Sequence, residues 1–215
     1  MRVAINGFGR IGRVTTRLLL QRDDVELVAV NDLTDTRTLA HLFKYDSVHG
    51  VFAGDVSHDA KHLILGGKRI KAFAKKEPSQ LPWNELGIDI VLECTGFFLT
   101  REGAEQHLKA GAKRVILSAP PKDADIKTVV LGVNDSILQG DEPIISNASC
   151  TTNCAAPMIL GILELCGIED GFITTVHSFT GDQRLHDAPH KDLRRARAAT
   201  VSMVPTTTGA AKAIT

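Results

Sequence analysis

The 215-residue sequence carries no net charge, 25 Lys and Arg standing against 25 Asp and Glu. It therefore has no general field to gather nucleic acid or an anionic membrane, and any such partner would need a local basic patch. It has no apolar run of the roughly 18 residues that a bilayer span requires. Its opening, MRVAINGFGR, puts charge and glycine where a signal peptide needs an apolar segment, and no Arg/Ser-rich leader is present, so a cytoplasmic location is expected. Cysteine is scarce: Cys94, Cys150, Cys154 and Cys166 make four, with no CxxC pair to suggest zinc or a dithiol switch. Reduced thiols are expected, and no metal. What is present, 43% hydrophobic and 23% charged residues, is the balance of a globular chain and excludes disorder and collagen-like structure. The closing GAAKAIT breaks off soon after an alanine-rich helix opens at Gly209, without a capping glycine or polar tail, as expected of a chain cut short.

From residue 2 to about 150, short β-branched runs alternate with helix-patterned stretches. RVAIN, VELVAVN, IDIVLEC, RVILS and PIISNAS read as buried strands, while Arg10 to Gln21, Thr36 to Tyr45 and Arg101 to Ala110 read as helices. That alternation predicts a parallel α/β sheet. In LILGGKRIKAFA, Gly66-Gly67 between two short strands predicts an antiparallel hairpin appended to it. A second region begins near Ser149 with a helix through Cys166. It continues with a strand, GFITTVH, and then about 20 irregular basic residues, a length that in a loop is usually functional or disordered.

RVAIN runs directly into Gly7-Phe8-Gly9-Arg10-Ile11-Gly12, and an amphipathic helix follows. Glycines at Gly7, Gly9 and Gly12, between strand and helix, let backbone N–H groups at a helix N-terminus approach a pyrophosphate. The string alone is weak, but Asp32 closes the second strand 20 residues beyond Gly12, where a carboxylate accepts from a ribose hydroxyl. Together they predict a Rossmann-type domain over residues 1–148 that takes NAD, since the Asp32 carboxylate repels the 2′-phosphate of NADP.

Cys150 follows the strand PIISNAS and opens a helix, where the macrodipole favours a thiolate. Cys94, Cys154 and Cys166 read as small buried hydrophobes. His177 ends GFITTVH, where the chain leaves a sheet, whereas His41, His49, His58, His62 and His107 fall in helical or loop patterns with nothing convergent nearby. A nicotinamide cofactor combined with a cysteine nucleophile points to an aldehyde substrate, which cannot lose hydride until a nucleophile has added to it. The expected course is a hemithioacetal, then a thioester whose acyl group passes to an acceptor, with a histidine taking the hydroxyl proton. Thr151, Thr180, Arg195, Thr208 and Gly209 are the kinds of group that bind phosphate, whether on the substrate, as the acceptor, or both.

INGFGRIGR, VNDLTD, LFKYDSVHG, ECTGFF, SNASCTTNC, HDAPHKDLRRARAA and VPTTTGAAKA together resemble the phosphorylating glyceraldehyde-3-phosphate dehydrogenases, in order and spacing from residue 2 to 215. The resemblance implies Cys150 as nucleophile and His177 as proton acceptor. It implies NAD contacts at Arg10, Ile11, Asp32, Lys76 and Ser118, substrate phosphate on Thr180 and Arg195, and attacking inorganic phosphate on Ser149, Thr151, Thr208 and Gly209. It also implies that residues 149–215 begin an α+β catalytic domain, and that the basic segment after Ser178 lies at a subunit interface of a homotetramer rather than on nucleic acid. Gly181, Cys94 and Lys76 depart from the residues usual in that family, while Leu33 and Pro189 resemble its NAD-specific branch. An erythrose-4-phosphate or semialdehyde dehydrogenase of the same chemistry, or an inactive NAD-binding fragment, stand as alternatives.

Overall fold

Burying β-branched runs on both faces requires layers above and below them, and the helical segments supply those layers. A computed structural model describes residues 1–209. The chain divides into two compact units, Met1–Ser149 and Cys150–Thr215. The first contains, in order, β1 (Arg2–Asn6), α1 (Arg10–Leu19), β2 (Glu26–Asn31), α2 (Thr36–Lys44), the short pair β3 (Tyr45–Asp46) and β4 (Gly50–Val51), β5 (Val56–His58), β6 (His62–Leu65), β7 (Lys68–Phe73), β8 (Ile90–Glu93), α3 (Arg101–Lys109), β9 (Arg114–Leu117), β10 (Lys127–Thr128) and β11 (Ile144–Ser146).

The main sheet runs β10-β11-β9-β8-β1-β2-β7-β6-β5. From β10 to β7 every neighbouring pair is parallel. The order reverses at β1: β2 and β7 lie to one side, β8, β9 and β11 to the other. This is the doubly wound arrangement, whose ligands bind beyond the carboxyl ends of the strands at the reversal. Register places Asn6 beside both Asn31 and Glu93 at those ends. Alternation along β1 and β2 sends Ile5 and Val30 into a cluster with Phe8, Leu39, Phe43 and Leu63. The intervening Ala4 and Ala29 face a second cluster with Trp83, Ile88 and Val91.

Gly66-Gly67 forms the expected hairpin: β6 and β7 are antiparallel from His62↔Lys71 to Leu65↔Lys68, and both glycines have positive φ, 56° and 80°. Because β7 also pairs in parallel with β2, the hairpin extends the sheet rather than packing on it. Asp35 caps α2 by accepting from the Thr38 N–H, and Thr100 caps α3 by accepting from the Gly103 N–H.

The second unit opens with α4 (Cys150–Cys166). Two expectations fail here. Residues 171–177 form no strand, since a strand exists only where a neighbour completes its ladder and no strand among the described residues pairs with it. Cys154 and Cys166 are exposed, because α4 buries only Thr152, Ala155 and Ala156. The segment after Ser178 is irregular apart from one helical turn at Leu193–Arg195 and an isolated bridge between Arg184 and Ala198. The alanine-rich helix expected after Gly209 lies outside the described residues. Among the described residues no helix is long and apolar enough to cross a membrane.

Candidate active site

Each glycine of the loop after β1 answers a different steric demand. Gly7 has φ 93°, and a Cβ there would lie 2.7 Å from both the Cys94 carbonyl carbon and the Thr95 nitrogen. A Cβ on Gly12 would sit 2.2 Å from the Gly7 oxygen, so the helix could not approach the strand as it does. Gly9 meets nothing within 4 Å, and its lack of a side chain leaves the mouth of α1 open. That helix has neither a side-chain cap nor an acidic residue in its first turn. Its N-terminus therefore presents backbone N–H groups and the positive end of the dipole with no side chain of its own competing for an anion, which fits a pyrophosphate.

Asp32, half-buried just past β2, accepts from the Phe8 N–H at 2.8 Å through one oxygen and from the Thr34 N–H at 3.0 Å through the other. It thus braces the loop while keeping lone pairs for ribose hydroxyls. Arg10, Ile11 and Lys76 are exposed, and Ser118 follows β9 with its N–H donated to the Glu93 carbonyl. The structure brings Gly7, Gly9, Gly12 and Asp32 into direct or one-residue contact at the end of the β1–β2 pair.

In the second unit Cys150 is exposed at the first turn of α4, and its Sγ lies 3.1 Å from His177 Nε2. The other ring nitrogen, Nδ1, is 2.7 Å from the Ser178 carbonyl oxygen. A carbonyl can only accept, so Nδ1 carries a proton and Nε2 faces the thiol as its acceptor. Once Nε2 has taken the thiol's proton, the ring is charged and donates back to the thiolate, and this hydrogen bond with His177 holds the Cys150 thiol below its ordinary value, assisted by the ring's charge and by Thr151 and opposed by partial burial. A cavity of about 740 Å³ opens beside this pair, lined among others by Thr151, Thr180, Thr206 and Thr208.

The remaining sites expected from sequence are placed as follows. Thr180 lines the cavity while its hydroxyl is engaged in a turn with Gln183 and Asp182. Arg195 is not a lining residue; its guanidinium donates to Asp182 at 2.7 Å and to the Thr206 hydroxyl, and its Nε is 3.9 Å from Asp192. Ser149 ends the first unit, and Gly209 is the last described residue. Arg194 and Arg197 pair with Asp192 and Asp187, each at 2.8 Å, so the basic run is largely neutralised by its own acids. Sequence reasoning missed Thr206 and the Ser178 carbonyl. The threonine run VPTTTG was a signal for the first, whereas no residue type announces a backbone acceptor.

The thiols differ enough to predict selective alkylation. Burial pushes the Cys94 thiol up to about 12, with Glu93 adding to the shift and Ser118 opposing it. One equivalent of iodoacetamide at neutral pH is expected to modify Cys150 first and Cys94 last, as peptide mass mapping will show. Label collecting mainly on Cys154 or Cys166 would remove the helix terminus and His177 as the source of reactivity.

Comparison with known proteins gives the same sense to both units. Residues 1–101 match the NAD binding domain of glyceraldehyde 3-phosphate dehydrogenase, and residues 149–215 match its C-terminal domain. The chain is 60% identical over 215 residues to the glyceraldehyde-3-phosphate dehydrogenase of Thermotoga maritima, covering 99% of this chain and 64% of that protein. It is 58% identical over 214 residues to the Mycoplasma pneumoniae enzyme and 57% over 215 to that of Geobacillus stearothermophilus, again covering 64% of each and all of this chain. It thus spans about 64% of the length of the relatives it matches. With an NAD-binding domain of that description joined to the start of its C-terminal domain, the chain belongs to the glyceraldehyde-3-phosphate dehydrogenase family.

Proposed function

We propose that the complete protein oxidises D-glyceraldehyde 3-phosphate to 1,3-bisphosphoglycerate with NAD and inorganic phosphate, in glycolysis or gluconeogenesis. The observation that carries this reading is the Cys150 Sγ to His177 Nε2 contact of 3.1 Å, with the ring oriented by the Ser178 carbonyl. The cysteine thiolate adds to the aldehyde carbon, a C–S bond forming as the carbonyl π bond opens, and the oxygen becomes a hydroxyl by taking the proton that His177 Nε2 had accepted from the thiol. His177 accepts the hydroxyl proton as the carbon is oxidised, which leaves a thioester on Cys150. An oxygen of inorganic phosphate then attacks the acyl carbon, the C–S bond breaks, and the thiolate returns as the acyl phosphate leaves. NAD, when bound, supplies the acceptor for the hydride.

Gly7, Gly9, Gly12, Arg10, Ile11, Asp32, Lys76 and Ser118 hold NAD in this reading. Thr180 and Arg195 take the substrate phosphate, and Ser149, Thr151, Thr208 and Gly209 the attacking one. Arg195 suits that task because its fork already reaches Thr206 at the cavity wall, so an arriving phosphate competes with Asp182 at 2.7 Å and with Asp192 at 3.9 Å. A homotetramer, with the segment after Ser178 at its interface, completes the proposal. The test is reduction of NAD by the complete protein, followed at 340 nm, dependent on both glyceraldehyde 3-phosphate and phosphate. Absorbance that rises equally without phosphate, or only with another aldehyde, would refute it.

Asp32 carries the cofactor preference. Asp32→Gly removes a charged acceptor for ribose and the brace on the Phe8 N–H together, so NAD affinity should fall about 10- to 100-fold. The loss of negative charge should narrow the gap between NAD and NADP. Titration of the variant with both cofactors checks this, and an unchanged NAD/NADP ratio would show that preference resides elsewhere.

A further inference from the structure

A buried polar network at the carboxyl ends of β1, β2 and β8 takes no part in the chemistry above. Glu93, His107 and Trp83 are each fully buried, Asn6 is 1% exposed and Asn31 4%. The Glu93 carboxylate receives four hydrogen bonds. Asn6 Nδ2 and His107 Nε2 donate to Oε2 at 2.6 and 3.0 Å; the Thr95 N–H donates to Oε1 at 2.7 Å, joined there by the Thr95 hydroxyl. Trp83 Nε1 lies 3.0 Å from His107 Nδ1. An indole N–H only donates, so Nδ1 is the lone-pair nitrogen and Nε2 carries the proton given to Glu93. The chain of contacts continues from Asn6 Oδ1 to Asn31 Nδ2 at 2.7 Å, and Asn31 exchanges two hydrogen bonds with the Lys75 backbone, at 2.9 and 2.8 Å.

We propose that Glu93 and His107 are positioning residues for NAD, holding at one mutual setting the three backbone segments around the reversal of strand order: Asn6-Gly7, Thr95-Gly96 and Lys75-Lys76. The inference rests on the NAD reading and extends it to residues that touch no ligand. Gly7 packs against Cys94 and Thr95 with no room for a Cβ, so a displacement of Thr95 is passed to the loop. Glu93 sets Thr95 through two bonds and Asn6 through a third. Only an acceptor on both oxygens serves: glutamine would turn an amide NH₂ toward existing donors, whichever way it is flipped. The histidine is equally constrained, since it must accept from Trp83 and donate to Glu93 at once. Networks of this kind are rigid when fully satisfied and costly when one member is lost.

The test is calorimetric titration of the 215-residue chain with NAD, alongside the emission of Trp83, the single tryptophan of those residues. Glu93→Gln and His107→Leu should each raise the NAD dissociation constant about 10-fold or more. His107→Gln, which retains one acceptor and one donor, should stay within about threefold of wild type and keep the wild-type emission maximum. His107→Leu, leaving the indole N–H unpaired, should shift that maximum. The alkylation rate of Cys150 without cofactor should be the same in all three, which separates loop positioning from general loosening. Wild-type affinity in Glu93→Gln or His107→Leu overturns the proposal, as does loss of affinity in His107→Gln equal to that in His107→Leu. Failure of all three variants to fold would assign the network to the core alone and also overturn it. A wild-type chain that binds no NAD would refute the cofactor reading itself.

Discussion

Cys150→Ser is expected to lower turnover of the complete protein by on the order of 10⁴- to 10⁶-fold, the scale on which enzymes lose rate when a covalent nucleophile is removed. A serine hydroxyl at the α4 terminus keeps the geometry but remains protonated, because neither a helix dipole nor a histidine at 3.1 Å makes an alkoxide stable in the ground state. Binding of NAD should be unchanged, since every residue assigned to it lies in the first unit. Stopped-flow measurement of NADH formation checks the rate and calorimetry the binding. A serine variant retaining a tenth of wild-type turnover would show that the reaction does not pass through a covalent intermediate on this residue.

His177→Asn is expected to slow oxidation about 10²- to 10⁴-fold, the usual contribution of a general base, while the cysteine still forms its adduct. The same variant gives a pH test with a definite sign. The ring's hydrogen bond is the leading cause of the lowered thiol value, so its removal should move the midpoint of Cys150 alkylation upward, toward the ordinary 9.0. Iodoacetamide rates across pH 5 to 10 report that midpoint directly. An unshifted profile would mean that the helix terminus and Thr151 suffice to activate the thiol.

The elements most legible in the sequence were those whose pattern contains its own partner. RVAIN, the glycine loop and α1 are consecutive, and the Gly66-Gly67 hairpin encloses both of its strands, so local periodicity and turn chemistry were enough. GFITTVH failed because a β-branched run states a preference and not a neighbour, and none among the described residues supplies the ladder. His107 was passed over for a related reason. In α3 it is one histidine in a helical pattern, while its partners Glu93, on β8, and Trp83, in the turn before that strand, lie 14 and 24 positions away. Cys150 and His177 stood out by setting, a helix start and the end of a β-branched run. Their separation of 27 positions gave no hint of the 3.1 Å approach.

The reversal of strand order has a consequence for the order in which the chain folds as it is synthesised. β1 gains β2 after about 25 residues, but its second neighbour, β8, is not available until Glu93 has emerged, 87 positions beyond Asn6. At about 5–20 residues per second, the far edge of β1 waits on the order of ten seconds. During that interval the unpaired groups beside Val3 and Ile5 form a sheet edge open to other nascent chains. Asn6 has no carboxylate to meet before Glu93, and Glu93 no imidazole before His107, so the glycine loop cannot settle until α3 is complete. A ribosome-stalled series ending at successive residues should therefore acquire protease resistance in the first ten residues abruptly, once α3 clears the exit tunnel, and not gradually as β1, α1 and β2 appear.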